Sequence, residues 1–115
     1  MGAPTLSVLM PNYNHARYLA EAVIGIAGQS RPPDEFLIVD DASTDNSVEV
    51  ITPCLQQFPF IRLIRHEHNQ GVIAASQRLF AEARGDYVFA AAAEDVRLPG
   101  FFENALRMLE PYPQA

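Results

Sequence analysis

The chain has 115 residues, of which 49% are hydrophobic and 19% charged, with a formal net charge of −6 at neutral pH. That size suits one domain, residues 1–115, able to bury about two thirds of its unfolded surface, and the composition excludes disorder. An acidic balance without a basic cluster gives nucleic-acid binding no footing, and no apolar run approaches the ~20 residues of a membrane span. Cys54, alone in the sequence, allows no internal disulfide, and a soluble, cytoplasmic domain is expected. All eight basic residues are Arg. Without a Lys there is neither a Walker phosphate loop nor a Schiff base.

In chain order, Leu6–Met10 reads as the first strand and is followed by Pro11-Asn12-Tyr13-Asn14. That loop is not the Gly-rich dinucleotide fingerprint, so hydride-transfer chemistry is not expected. Tyr13 can pack against a flat ring, and Asn12 or Asn14 can bond a polar edge or cap the next helix, with capping the expected role of Asn14. Leu19, Ala22, Val23 and Ile26 then fall on one helical face. Phe36–Val39, bounded by Pro32-Pro33, reads as a buried strand that ends in Asp40-Asp41. Successive side chains point to opposite sides of a strand, so one carboxylate can brace the turn while the other accepts hydrogen bonds from a ligand. Asp45 or Thr44 is expected to cap the helix that follows.

Val48, Ile51 and Leu55 carry that second helix, with Cys54 as a small core residue. Pro53 predicts a kink or an early stop. Ile61–Ile64 is the third strand, with His66 and His68 just beyond it. No third ligand accompanies them, so they read as surface or loop histidines. Ile73 to Ala83 forms a third helix, closed by Gly85. Tyr87–Ala91 is the fourth strand, and Pro99-Gly100 introduces a short helix from Phe101 to Leu109. Alternating strands and helices imply a parallel sheet with helices on both faces, and ligands in such sheets bind at the carboxyl ends of the strands.

Ser7-Val8-Leu9-Met10-Pro11-Asn12-Tyr13-Asn14, then Ile38-Val39-Asp40-Asp41-Ala42-Ser43-Thr44-Asp45, then Ala83-Arg84-Gly85-Asp86-Tyr87-Val88 together resemble family 2 glycosyltransferases. The likeness runs from about Leu6 to Leu109, with the motifs in the family's order. It implies the GT-A fold, a Rossmann-like three-layer α/β sandwich with a mostly parallel sheet. The implied activity is transfer of a sugar, with inversion, from a nucleotide-diphosphate sugar to an acceptor hydroxyl. The donor is typically a UDP-sugar, and cell-envelope polysaccharide is a product class of such enzymes.

By the same resemblance, Pro11 and Tyr13 line the nucleobase pocket, and Asp41 binds the base, typically uracil. Asn69-Gln70-Gly71-Val72 lies near the nucleotide. The family's metal motif aligns with Ala92-Ala93-Glu94-Asp95, which makes Glu94 and Asp95 the ligands of Mg²⁺ or Mn²⁺ and puts Glu94 at the diphosphate. Glu94 and Asp95 read alternatively as acids approaching the helix after Pro99. Ala92 and Ser76 stand where the family has an Asp and an Arg, and Arg78 lies about 200° around the helix from Ser76. These departures leave open a non-catalytic module that keeps the fold. A phosphorylated receiver domain also places paired acids at a strand end, but that family relies on a Lys. Family members continue well past 115 residues, so the chain is expected to be an incomplete, donor-binding half with no assignable catalytic base. Self-association through the uncovered sheet edge is expected.

Overall fold

The computed structural model describes residues 5–29 and 32–91. Four strands and three helices alternate: β1 (Leu6–Asn12), α1 (Ala16–Ala27), β2 (Glu35–Asp40), α2 (Ser47–Gln57), β3 (Ile61–Arg65), α3 (Val72–Glu82) and β4 (Tyr87–Ala90). The strands form one all-parallel sheet in the order β3-β2-β1-β4. From β1 the chain steps outward through β2 to β3, then crosses back to β4 on the far side of β1. Right-handed crossovers put the helix of a returning step on the opposite face from those of the outward steps.

The packing follows that rule. Val8, Met10, Phe36 and Ile38 share the larger core with Leu19, Val23 and Ile26 of α1 and Ile51 and Cys54 of α2. Leu9, Leu37 and Val39 face the other way, onto Ala75 and Leu79 of α3. The three-layer sandwich expected from sequence is therefore present. The last expected helix, Phe101 to Leu109, lies outside the described residues. No helix among the described residues is long and apolar enough to cross a membrane. Val72, Ile73 and Phe80 of α3 stand exposed on its outer side.

Three local expectations need correction. β1 runs through Pro11 to Asn12 instead of stopping at Met10, because the backbone groups that bond toward β2 belong to its even-numbered residues. The Asp41 N–H donates to the Asn12 carbonyl at 2.9 Å, while the Leu9 carbonyl, on the β4 side, accepts from Ala91 N–H at 2.8 Å. The missing N–H of Pro11 thus falls on the β4 side, where pairing among the described residues ends at Leu9–Ala90. Second, of the kink or early stop expected at Pro53, the early stop does not occur: α2 continues to Gln57. Burial of Ile51 and Cys54 on either side of it offsets the lost hydrogen bond. Third, α3 ends at Glu82 with Ala83 extended, so Gly85 does not close it.

Gly85 serves a close approach instead. Its N–H donates to Ser7 Oγ at 2.8 Å, and a Cβ built on it would lie 2.6 Å from that oxygen and 2.7 Å from Ser7 N. Ser7 is fully buried and its hydroxyl donates to Glu35 Oε1, so it has nowhere to move. Gly85→Ala should cost about 1–3 kcal/mol of unfolding free energy, read as a lowered urea midpoint.

Candidate functional site

The carboxyl ends of β1 and β2 lie in register, with Asn12 beside Asp40. The two acids at the end of β2 separate as strand alternation requires. Asp40 belongs to the α1/α2 side and braces the turn. Its Oδ1 accepts Asn12 Nδ2 at 2.9 Å and Ser43 Oγ at 2.7 Å, and its Oδ2 accepts Ser43 N–H at 3.1 Å. Ala42, between them, adopts φ 60, a left-handed conformation that a side chain disfavours. Ser43 therefore holds the turn, a role signalled in sequence only by its spacing from Asp40.

Asp41 turns to the α3 side and is 3% exposed. Its Oδ1 lies 2.8 Å from His66 Nδ1 and accepts Gln70 N–H at 2.9 Å, while Oδ2 accepts Gly71 N–H at 2.8 Å. Asn69 Nδ2 adds a bond to the Asp41 carbonyl at 3.2 Å. Gly71, at φ 94, makes the bend that aims both amides at the carboxylate. Burial opposes the charge on Asp41, but His66 and these amides outweigh it and hold its pKa below the ordinary value. The Asn69–Val72 turn and Asp41, expected from the resemblance to lie near one ligand, are thus joined directly to each other.

Of the surface-or-loop reading, His66 bears out the loop: it follows β3 directly, with a side chain only 4% exposed. The register that pairs Asp40 with Arg65 brings the next residues, Asp41 and His66, side by side, which is the signal that sequence periodicity leaves out. His68 is exposed.

On the other flank, Asn14 at φ 57 does not cap α1. Its Oδ1 accepts Thr44 N–H at 2.8 Å and Asp45 N–H at 3.2 Å, tying the β1–α1 loop to the β2–α2 loop. His15, the N-cap of α1, makes no side-chain capping bond of its own. Asp45 serves two helices: Oδ1 accepts Ser47 N–H at 2.9 Å at the start of α2, and Oδ2 accepts Ala16 N–H at 3.1 Å at the start of α1. The expected Asp45 cap is therefore present, one residue before the helix boundary at Asn46. Burial raises and these donors lower its pKa, with a net fall.

Pro11 is half-buried and Tyr13 is 43% exposed beyond the end of β1. A cavity of about 540 Å³ opens at the ends of β2 and β3, lined in part by Asp40, Ala42, Ser43, Arg65, His66 and Glu67. Arg78, remote from it, bonds Glu82 at 3.2 Å, and Arg62 on β3 pairs with the same carboxylate. Ala92, Glu94 and Asp95 lie outside the described residues. Among the described residues no group of three His, Cys, Asp or Glu could hold a metal ion.

The family model for Glycosyl transferase family 2 matches residues 7–115. An uncharacterized glycosyltransferase of Nostoc sp. is 42% identical over 105 residues, covering 91% of this chain and 33% of the relative. Glycosyltransferase GlyG of Streptococcus pneumoniae is 30% identical over 105 residues, covering 91% of this chain and 35% of that protein. Among solved structures, the mannosyltransferase PcManGT of Pyrobaculum calidifontis, in complex with GDP-Man and Mn²⁺, superposes with a TM-score of 0.81 at 25% identity. That match covers 95% of this chain and 33% of the neighbour. Staphylococcus aureus TarS 1-349 in complex with UDP gives a TM-score of 0.77 at 22% identity, over 93% of this chain and 32% of that one. The chain spans about a third of the length of these relatives.

The pKa of Asp41 sets the sign of an acid effect. A folded-state pKa below the ordinary 3.8 means that the unfolded chain takes up the proton first as pH falls. The carboxylate's contribution is complete at neutral pH and is lost as pH drops through the folded value, below about pH 4. Asp41→Asn, which turns an amide toward N–H donors, should cost about 2–4 kcal/mol at pH 7. Its deficit against wild type should shrink in urea titrations at pH 3.

Proposed function

The chain belongs to Glycosyl transferase family 2, with the GT-A fold, and from that premise we propose that it forms the nucleotide-sugar-binding part of a sugar transferase. The observation that carries this reading is the built end of the sheet. β1 and β2 finish side by side next to the point where strand order reverses, and Asn12, Asp40, Asp41 and Ser43 fix the loops around it. Such crevices are where open parallel sheets take nucleotides. The mannosyltransferase neighbour, in complex with GDP-Man and Mn²⁺, supports a nucleoside diphosphate and a divalent cation. The family resemblance supports a UDP-sugar.

In this reading Tyr13 offers an exposed ring for stacking beside Pro11, and Asp41 organises the base end of the site. Glu94 and Asp95 supply hard oxygen ligands to Mg²⁺ or Mn²⁺ near the diphosphate. When bound, the cation would neutralise charge on the departing nucleoside diphosphate. An acceptor hydroxyl would displace that diphosphate with inversion at the sugar carbon, using a base from outside these residues. The exposed apolar side chains of α3 support self-association of the chain.

A second reading, a module that keeps the fold without the chemistry, is favoured by Ala92 and by Ser76, which is half-buried on α3. Calorimetry with UDP and GDP, each with and without Mn²⁺, separates the two. A transferase domain binds a nucleoside diphosphate more tightly with Mn²⁺, and Glu94→Ala loses that enhancement. Absence of binding at millimolar ligand would favour the non-catalytic module.

A further inference from the structure

Among the described residues, the α3 face of the sheet is covered on one side only. α3 lies over β1 and β2, its Ala75 and Leu79 packed on Leu9, Leu37 and Val39. Arg78 and Glu82 mark its flank toward β3, because Glu82 pairs with Arg62 of that strand. At about 100° per residue, Val72, Ile73, Ser76 and Phe80 fall on the opposite flank, toward β4. There Ile73 is 73% exposed and Phe80 57%. Ala90 lies beside Leu9 in the sheet and Val88 beside Ser7, so both turn to the face that carries α3. Both are exposed.

An apolar corner results, with β4 as its floor and α3 as its wall. Of the six large hydrophobic side chains exposed among the described residues, four (Val72, Ile73, Phe80 and Val88) stand in it. Clustering of this kind marks a contact surface, since scattered apolar residues need no partner and a contiguous patch does. We propose that the corner is the seat of the chain's own residues 101–109.

Three observations select that occupant. The chain leaves β4 at the edge of the corner, where the Ala91 N–H is bound to the Leu9 carbonyl at 2.8 Å. Handedness then picks the face. The step from β3 across to β4 carries its helix on this face, and a further parallel step in the same direction carries its helix there too, alongside α3. Finally, residues 101–109 have the matching stripe. Phe102, Ala105, Leu106 and Leu109 fall at i, i+3, i+4, i+7, while Glu103, Asn104 and Arg107 take the other side. The family match runs through these residues to 115.

Seating the segment closes two apolar stripes on each other and takes Ile73 and Phe80 out of water. The stretch from Ala92 to Asp95 is then tethered from both ends, by β4 and by α3, whatever it binds. The inference stands on packing and does not depend on the nucleotide reading. A second copy of the chain is the competing occupant, since the same side chains would hold it.

Methyl NOE spectra of the 115-residue chain test this. The methyls of Ile73 and Val88 should show contacts to Leu106 and Leu109. In a mixture of labelled and unlabelled copies, filtered to keep only contacts between molecules, those signals should be lost. Their absence from the first spectrum overturns the inference. Their persistence in the filtered one overturns it too, and gives the corner to a second copy. Leu106→Asp supplies a separate reading. It should shift the Ile73 and Val88 methyl resonances and leave those of Val8 and Ile38, buried on the other face of the sheet, in place. Unmoved Ile73 and Val88 resonances would contradict the seat.

Discussion

The buried carboxylate of Asp41 is the constraint around which this end of the molecule is arranged. A charge withdrawn from water costs several kcal/mol unless donors replace the lost solvent. Here the replacements are the Gln70 and Gly71 amides and the His66 ring. All three sit between β3 and α3. Satisfying one charge at the tip of β2 therefore fixes the path of the next connection and the point where α3 begins. Among the described residues α3 is the one helix packed on its face of the sheet, so this tie sets where that layer starts.

Asp40 does the matching work on the opposite face. Its bonds to Asn12 and Ser43 hold β1 and the turn after β2 together, against the strain of Ala42 at φ 60. Asn14 and Asp45 extend the same binding outward to the starts of both helices on that side. Meanwhile Pro11 withholds a donor from the β4 side of β1, where the strand order reverses. The sheet thus ends in braced loops on the β2 side, while on the β4 side Pro11 offers no N–H. Ligands of open parallel sheets bind at such a switch point.

Periodicity made the strands and helices legible because their apolar residues follow the two-fold and 3.6-fold spacings that burial demands. It misjudged places where backbone direction or tertiary contact decides. Pro11 reads as a strand breaker, yet its missing N–H points away from β2, so the ladder to β2 runs on past it. Pro53 reads as a helix breaker, yet buried neighbours on both sides carry the helix past it. Asn14 reads as a cap and instead accepts amides from a loop some thirty residues on. The tie between His66 and Asp41 was not legible because it depends on parallel register with β2, which no local window contains. The strand-end acids were found from their position alone, and their division of labour followed from alternation. Glu94 and Asp95, which the family likeness marks for a metal, lie outside the described residues.

Amide hydrogen exchange at Gln70 and Gly71 tests the role of Asp41 most directly. Gln70 is exposed and lies in a loop, where amides ordinarily exchange freely. Bound to the Asp41 carboxylate, both amides should be protected in the wild type and should lose that protection in Asp41→Asn, while the β1 and β2 amides keep theirs. Rapid exchange of Gln70 and Gly71 in the wild type, or equal protection in the variant, would show that the carboxylate does not hold this end of the fold.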